Sequence, residues 1–230
     1  MEPIIIFNDC SIGMITNTKA ELCPANSVDL ALNIDVDDIY GEARARKGST
    51  ILGAQIDGNN AVTGLYQFLN TAGTVSKLQA VVAGTIYHYT GGTWTSSGHT
   101  DTTGLKTRFL TFLDTVAHLN GTDAVTCSSN GTTWGVSASL DSGNFPVGKF
   151  GTVYKDQVIV AGVAGEPDTL YISSVPSAGA ISWTTNNRTI TINPEDGQNI
   201  TALGEIGGIL LIWKDKAMYT LNNRSTEADE

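Results

Sequence analysis

The chain has 230 residues, a net charge of −10, and 41% hydrophobic against 16% charged residues. That much apolar content supports a real core and excludes wholesale disorder, and the sparse charge with abundant Gly, Thr, Asn and Ser suits short strands and turns, not long ion-paired helices. The acidic balance excludes non-specific nucleic-acid binding, which needs a basic footprint, and docking on anionic lipid.

The opening, MEPIIIFNDC, has no basic region ahead of its short isoleucine run and does not read as a signal peptide. No apolar run approaches the ~20 residues of a membrane span, so no membrane segment is expected. Residues 1–50 lack steady periodicity and close on Arg44, Arg46, Lys47 and Gly48. They read as an extended arm with strand-like pieces around Ile4–Phe7 and Leu30–Ile34, a short helix over Ser27–Leu32 being the competing reading. Asp35, Asp37 and Asp38 could ligate a hard cation, but the Gly and Glu of a calcium loop are missing, which favours a solvated acidic turn. Cys10, Cys23 and Cys127 form no C-x-x-C and have no His at zinc-ligand spacing. They are expected to be reduced structural thiols, with a Cys10–Cys23 disulfide the alternative in an oxidising setting.

Residues 51–230 repeat themselves at a longer scale. The first unit runs VTGLYQFL, KLQAVVAGTIYHYT and GGTWTSS; the second runs KTRFLTFLDTVAHLNGTDAVTCSS and NGTTWGV. The third runs KFGTVYKDQVIVAGVAGEPDTLYISSV and GAISWTT, and a fourth begins at NITALGEIGGILLIWKDKAMYTLN. Trp94, Trp134 and Trp183 return near unit ends at intervals of roughly 40–50 residues, the period of a β-propeller blade. The apolar runs bounded by Gly or a charged turn fit strands buried on both faces. Asn120-Gly121 and Asn130-Gly131 are tight-hairpin signals. The expected fold is therefore all-β: a β-propeller-like array of three to four blades of short antiparallel strands, incomplete or completed by a partner, behind an extended N-terminal arm. A β-sandwich competes, but gives no reason for the echo of Gly and Trp.

Chemistry is scarce in the text. His88, His99 and His118 form no i, i+4 pair, and His88 and His118 sit in strands as hydrogen-bonded imidazoles. No Gly-x-Ser-x-Gly elbow occurs. GHTDTTGLKT (98–107) has the wrong spacing for a phosphate loop and reads as a plain loop; DSGN (141–144) and PEDGQN (194–199) read as turns. No catalytic residue, cofactor or metal site is expected. Trp94 and Trp134, with Tyr87 and Tyr89 nearby, could stack on sugars, against the competing reading that such a Trp packs between blades.

The arm, FNDCSIGMITNTKAELCPANSVDLALNIDVDDIYGEARARKGS, and the later phrases VTGLYQF, VVAGTIYHYTGGTWT, AHLNGTD, VYKDQVIVAG, DTLYISSV and ITALGEIGGILLIWKDKAMYTL follow one another in an order that resembles a family of tailed-bacteriophage structural proteins. These are virion components related to the nozzle or tail-tube proteins of short-tailed phages. The chain departs from the pattern in thinning the arm's Gly-Gly and aromatic content near Cys10, and in stopping soon after the KDKAMY phrase. The resemblance implies a β-propeller platform, no enzyme activity and no cofactor. It implies a tail protein made in the host cytoplasm that forms a ring with its own copies and with other tail or connector proteins. DNA would pass through the lumen without specific binding. Assembly is expected to run through the arm, with Arg44, Arg46 and Lys47 meeting an acidic neighbour. The alternative is a glycan-binding or host-adhesion propeller using Trp94 or Trp134.

Overall fold

The computed structural model describes residues 51–221 except Glu195, and the backbone of four two-residue strands within the first fifty. Among the described residues every regular element is a strand. The chain divides into two compact units, Met1–Ile51 and Leu52–Glu230. In the first, β1 (Gly13–Met14) pairs in parallel with β2 (Ser27–Val28), and β3 (Ile34–Asp35) runs antiparallel to β4 (Arg44–Ala45) with Asp35 opposite Arg44. The helix considered over Ser27–Leu32 is overturned at its start, because Ser27–Val28 is a strand. The piece at Ile4–Phe7 lies outside the described residues.

The second unit holds four antiparallel sheets, each a simple meander. The first is β5 (Val62–Leu69), β6 (Ser76–Val82), β7 (Thr85–Thr90) and β8 (Thr93–Thr100). The second is β9 (Arg108–Phe112), β10 (Thr115–Leu119) and β11 (Cys127–Ser128). The third is β12 (Phe150–Tyr154), β13 (Gln157–Val163), β14 (Glu166–Ile172) and β15 (Arg188–Thr191). The fourth is β16 (Ile200–Ile206), β17 (Ile209–Lys214) and β18 (Met218–Leu221). The opening strands β5, β9, β12 and β16 touch in succession, and no comparably close contact returns from β16 to β5. The sheets therefore stand side by side as an arc of four propeller-like blades.

Two-residue turns set the register of several hairpins. Gly91-Gly92 (φ 60 and 90) and Gly207-Gly208 (φ 58 and 77) supply the left-handed pair a tight hairpin needs. Leu113-Asp114 makes the same turn with φ of 48 and 52. Its steric cost is offset because Asp114 accepts hydrogen bonds from the amide and hydroxyl of Thr71 in the first blade, which also hold its carboxyl below the usual range.

Two details of the repeat differ from the sequence reading. The stretch NGTTWGV contributes one bridge, Gly135 to Cys127, in place of a strand. Asn130 is the reason: its side-chain oxygen takes the amides of Thr132 and Thr133, a local turn that competes with the ladder. The fourth strand of the third blade is β15, not GAISWTT. There Ser182 accepts from the amides of Thr184 and Thr185, so the chain leaves the sheet and carries Trp183 inward.

The core consists of layers between blades. Leu110, Ala117 and Leu119 meet Val158 and Val160, sealed by Leu140, Phe145 and Trp183. Tyr154, Ile159, Leu170 and Ile172 meet Ile200, Leu210 and Ile212. Blades approach closely at Gly151, where a Cβ would stand 2.6 Å from Leu110 Cδ2.

Candidate functional site

Of the residues singled out in the sequence, Arg44 lies on β4, while Arg46 and Lys47 lie outside the described residues. Trp94 is half-buried on β8, its ring 5.2 Å from that of Tyr89 and its Nε1 donating to the Leu52 carbonyl at 3.0 Å. Trp134 stands in a column of rings that crosses from the first blade to the second. Tyr66 stacks on Phe109 at 5.5 Å, Phe109 meets Trp134 at 6.0 Å, and Trp134 meets His118 edge-on at 5.7 Å. Its Nε1 is buried without a hydrogen-bond partner, while the residue as a whole is half-buried between the blades.

Alternation along the end strands exposes two apolar faces. On β5, Tyr66 and Phe68 turn toward the second blade, while Leu65 (64% exposed) and Leu69 (54%) turn away from it. On the fourth blade, Leu210 and Ile212 face the third, while Ile206, Ile209 and Met218 are exposed on the outward side. Half-buried Trp213 lies on that side too, over Gly204. Among the described residues no strand pairs with either outward face by packing a further blade on it.

The most unusual chemistry lies between the first two blades. β8 carries His99, and Asp101 follows two residues later on the same side of the extended chain. The Asp101 amide donates to the Gly84 carbonyl at 2.9 Å, which fixes the strand end. β10 of the second blade brings His118 against them. His99 Nε2 lies 2.8 Å from Asp101 Oδ1, and His118 Nδ1 lies 3.3 Å from Asp101 Oδ2. The three side chains are 21%, 3% and 1% exposed for His99, Asp101 and His118 respectively. Thr126 closes the far side: its Oγ1 is 2.8 Å from His118 Nε2 and 3.3 Å from His99 Nε2, and its amide donates to His118 Nε2 at 3.2 Å. Burial, assisted by the neighbouring His99, pushes His118 down to about 4 against the pull of Asp101 and Asp123. The imidazole is therefore neutral at pH 7. Asp101 Oδ2 and His118 Nδ1 have no hydrogen-bond partner despite their proximity, because the contact lies off the donor direction.

Other polar residues act as fasteners. Asp123 accepts from the amide and hydroxyl of Thr102; burial pushes its carboxyl up, but these bonds and that of Asn120 outweigh it and hold it low. Asp141, expected in a turn, also accepts the Trp183 amide at 2.9 Å. Cys127 is a buried free thiol, pushed up to about 12 by burial. An open groove of about 560 Å³ beside the third blade is lined by Lys149, Phe150, Pro167, Thr201 and Asp215 among others.

No family model and no curated protein matches this chain. Among solved structures it is similar to the computationally designed Ika4 protein, at 13% identity and a TM-score of 0.48 over 76% of this chain and 98% of that one. It is also similar to BBS1N in complex with ARL6DN, at 14% identity and a TM-score of 0.42 over 74% of this chain and 54% of that one. A third is YCF48 from Cyanidioschyzon merolae, at 10% identity and a TM-score of 0.35 over 59% of this chain and 47% of that one. These likenesses are loose, and the propeller-like description rests on the sheet order itself.

The histidine–aspartate cluster is what the sequence reading missed. His99 and Asp101 lie in a stretch that reads as a plain loop, and the three histidines show no i, i+4 pair in the sequence. The i, i+2 spacing of His99 and Asp101 in an extended run was the available signal; the approach of His118 from the next blade left none.

Proposed function

We propose that the chain is a non-enzymatic structural subunit that assembles by packing one blade face on another. In keeping with the phage resemblance, it serves in a virion tail, in a ring around the DNA exit path with other tail and connector proteins, after synthesis in the host cytoplasm. The observation that carries this reading is the pair of outward faces: Leu65 and Leu69 at one end of the arc, Ile206, Ile209 and Met218 at the other. Inside the arc, faces of this kind are covered by the next blade. A first-blade face on one copy and a last-blade face on another make a head-to-tail contact, and such contacts generate closed rings when the rotation permits. The net charge of −10 suits a wall that DNA slides past, since it offers no surplus of cations to displace the DNA's own counterions.

The test is size measurement with electron microscopy on the purified chain. Wild type should form rings, whereas Leu65→Asp and Ile206→Asp should each give monomers with an unchanged melting temperature. Mixing the two variants should restore a dimer, because one copy keeps its last-blade face and the other its first. A monomeric wild type, or variants that assemble normally, would sink the reading.

The second reading, glycan binding, is favoured by one observation, the half-buried Trp94 beside Tyr89. If the chain is structural, Trp94→Ala costs only about 1–2 kcal/mol, as expected for a partly exposed aromatic truncation, and changes nothing on a glycan array. Glycan binding that vanishes with Trp94 would instead support adhesion.

A further inference from the structure

We propose that His99, Asp101 and His118 form a site for a borderline divalent cation of the zinc class, clamping the first blade to the second. Three arguments converge on it. The donor set is two imidazoles and one carboxylate, whose donor atoms all lie within 4.8 Å of one another. Nitrogen-rich sets of this kind suit zinc and its neighbours, whereas calcium and magnesium require mostly oxygen ligands.

The second argument is geometric. Tetrahedral zinc with bonds of about 2.0–2.1 Å separates neighbouring ligand atoms by about 3.3–3.4 Å. His118 Nδ1 and Asp101 Oδ2 stand 3.3 Å apart. A proton on Nδ1 would lie off the line to that oxygen and leave both buried atoms unsatisfied, as they are now. A cation bonded separately to each atom satisfies both. His99 Nε2, against the other carboxylate oxygen at 2.8 Å, supplies the third ligand after a small outward shift.

The third argument concerns the surroundings. When Nδ1 carries a metal, Nε2 carries the ring proton, and Thr126 Oγ1 at 2.8 Å is placed to accept it. Such a partner on the second ring nitrogen is what orients metal-bound histidines. The Thr126 amide gives up its bond to Nε2 in exchange, one neutral hydrogen bond against three coordinate bonds. The partly exposed edge of His99 provides the entry path, with solvent as fourth ligand.

The experiment uses the full chain, stripped with a chelator and dialysed. Zinc titration by calorimetry should show one site, with a raised melting temperature that magnesium and calcium do not reproduce. Cobalt(II) in its place should give the visible absorption of a tetrahedral nitrogen–oxygen site. Because His118 is too buried for a safe truncation, the variants are Asp101→Asn and His99→Gln, which keep size and hydrogen bonding. Each should weaken zinc at least 100-fold and abolish the cobalt spectrum. A wild type that takes up no stoichiometric zinc overturns the proposal in favour of a proton on Nδ1. Uptake unchanged in both variants also overturns it, by placing the metal elsewhere.

Discussion

Trp183→Ala should lower the unfolding free energy by roughly 3–5 kcal/mol, the range for a buried Trp truncated to Ala, read by urea denaturation. The indole is only 6% exposed and belongs to the layer in which Leu110 and Leu119 of the second blade meet Val158 and Val160 of the third. Its ring centre is 4.7 Å from that of Phe145, and its Nε1 donates to the Leu140 carbonyl at 3.1 Å. Its backbone amide is held by Asp141, so the segment has little freedom to collapse into the space left behind. Trp183→Phe separates the two contributions. It keeps most of the apolar contact but orphans the Leu140 carbonyl, at a cost of about 1–2 kcal/mol. Since Trp94→Ala should cost no more than that, the two tryptophans test whether burial, not position in the repeat, sets the effect. A loss below about 1 kcal/mol for Trp183→Ala would mean the second and third blades do not depend on this residue.

The echo of tryptophans was legible, yet it concealed three different environments. Trp94 lies on a regular outer strand and Trp134 on a segment diverted by Asn130. Trp183 lies on a segment that has left its sheet. Periodicity reports that a unit repeats; it does not report that local Asn and Ser hydrogen bonds outcompete the ladder within one copy of it. The inner strands were easier. Ala80–Val82, Val116–Leu119 and Val158–Ala161 are continuous buried runs, and a strand covered on both faces must be written that way. What sequence could not convey is pairing across blades. Leu65 and Phe68 look alike in the text, yet one is 64% exposed and the other is fully buried. The difference is which side of β5 has a neighbour. The same gap hid the cluster, since His118 comes within reach of Asp101 only because two sheets stack.

Lys214→Met should cost roughly 3 kcal/mol, the low end for breaking a buried ion pair. In the sequence this residue looks like the charged turn that ends GGILLIWK. In the structure it is part of β17, with its side chain fully buried between the third and fourth blades. Its Nζ lies 3.0 Å from Asp168 Oδ1 and 2.9 Å from Asp196 Oδ1, and donates to the Asn193 carbonyl at 3.1 Å. Burial pulls the ammonium's pKa down, but the two carboxylates more than restore it, and it ends above its ordinary value. The hydrogen bond from Lys214 is also the main reason that Asp196 is held below the usual carboxylate range. Methionine preserves the length and apolar stem, so the loss is of charge and not of volume. It leaves two carboxylates facing each other without a cation, and the low end of the range applies because both keep an edge in water. The sign with pH follows. In the wild type the contribution of Asp196 is full above the ordinary carboxylate pKa of ~3.9 and fades as pH falls through its lowered value. In Lys214→Met the lowering of Asp196 is lost, so the deficit against wild type should hold from pH 7 down to about 4 and shrink as pH falls further, toward the wild-type residue's lowered value. Replacing Asp168 and Asp196 by Asn in the same variant should recover part of the loss at pH 7. A deficit that stays constant through that further fall would show that packing, not the uncompensated charge, is what the lysine supplies.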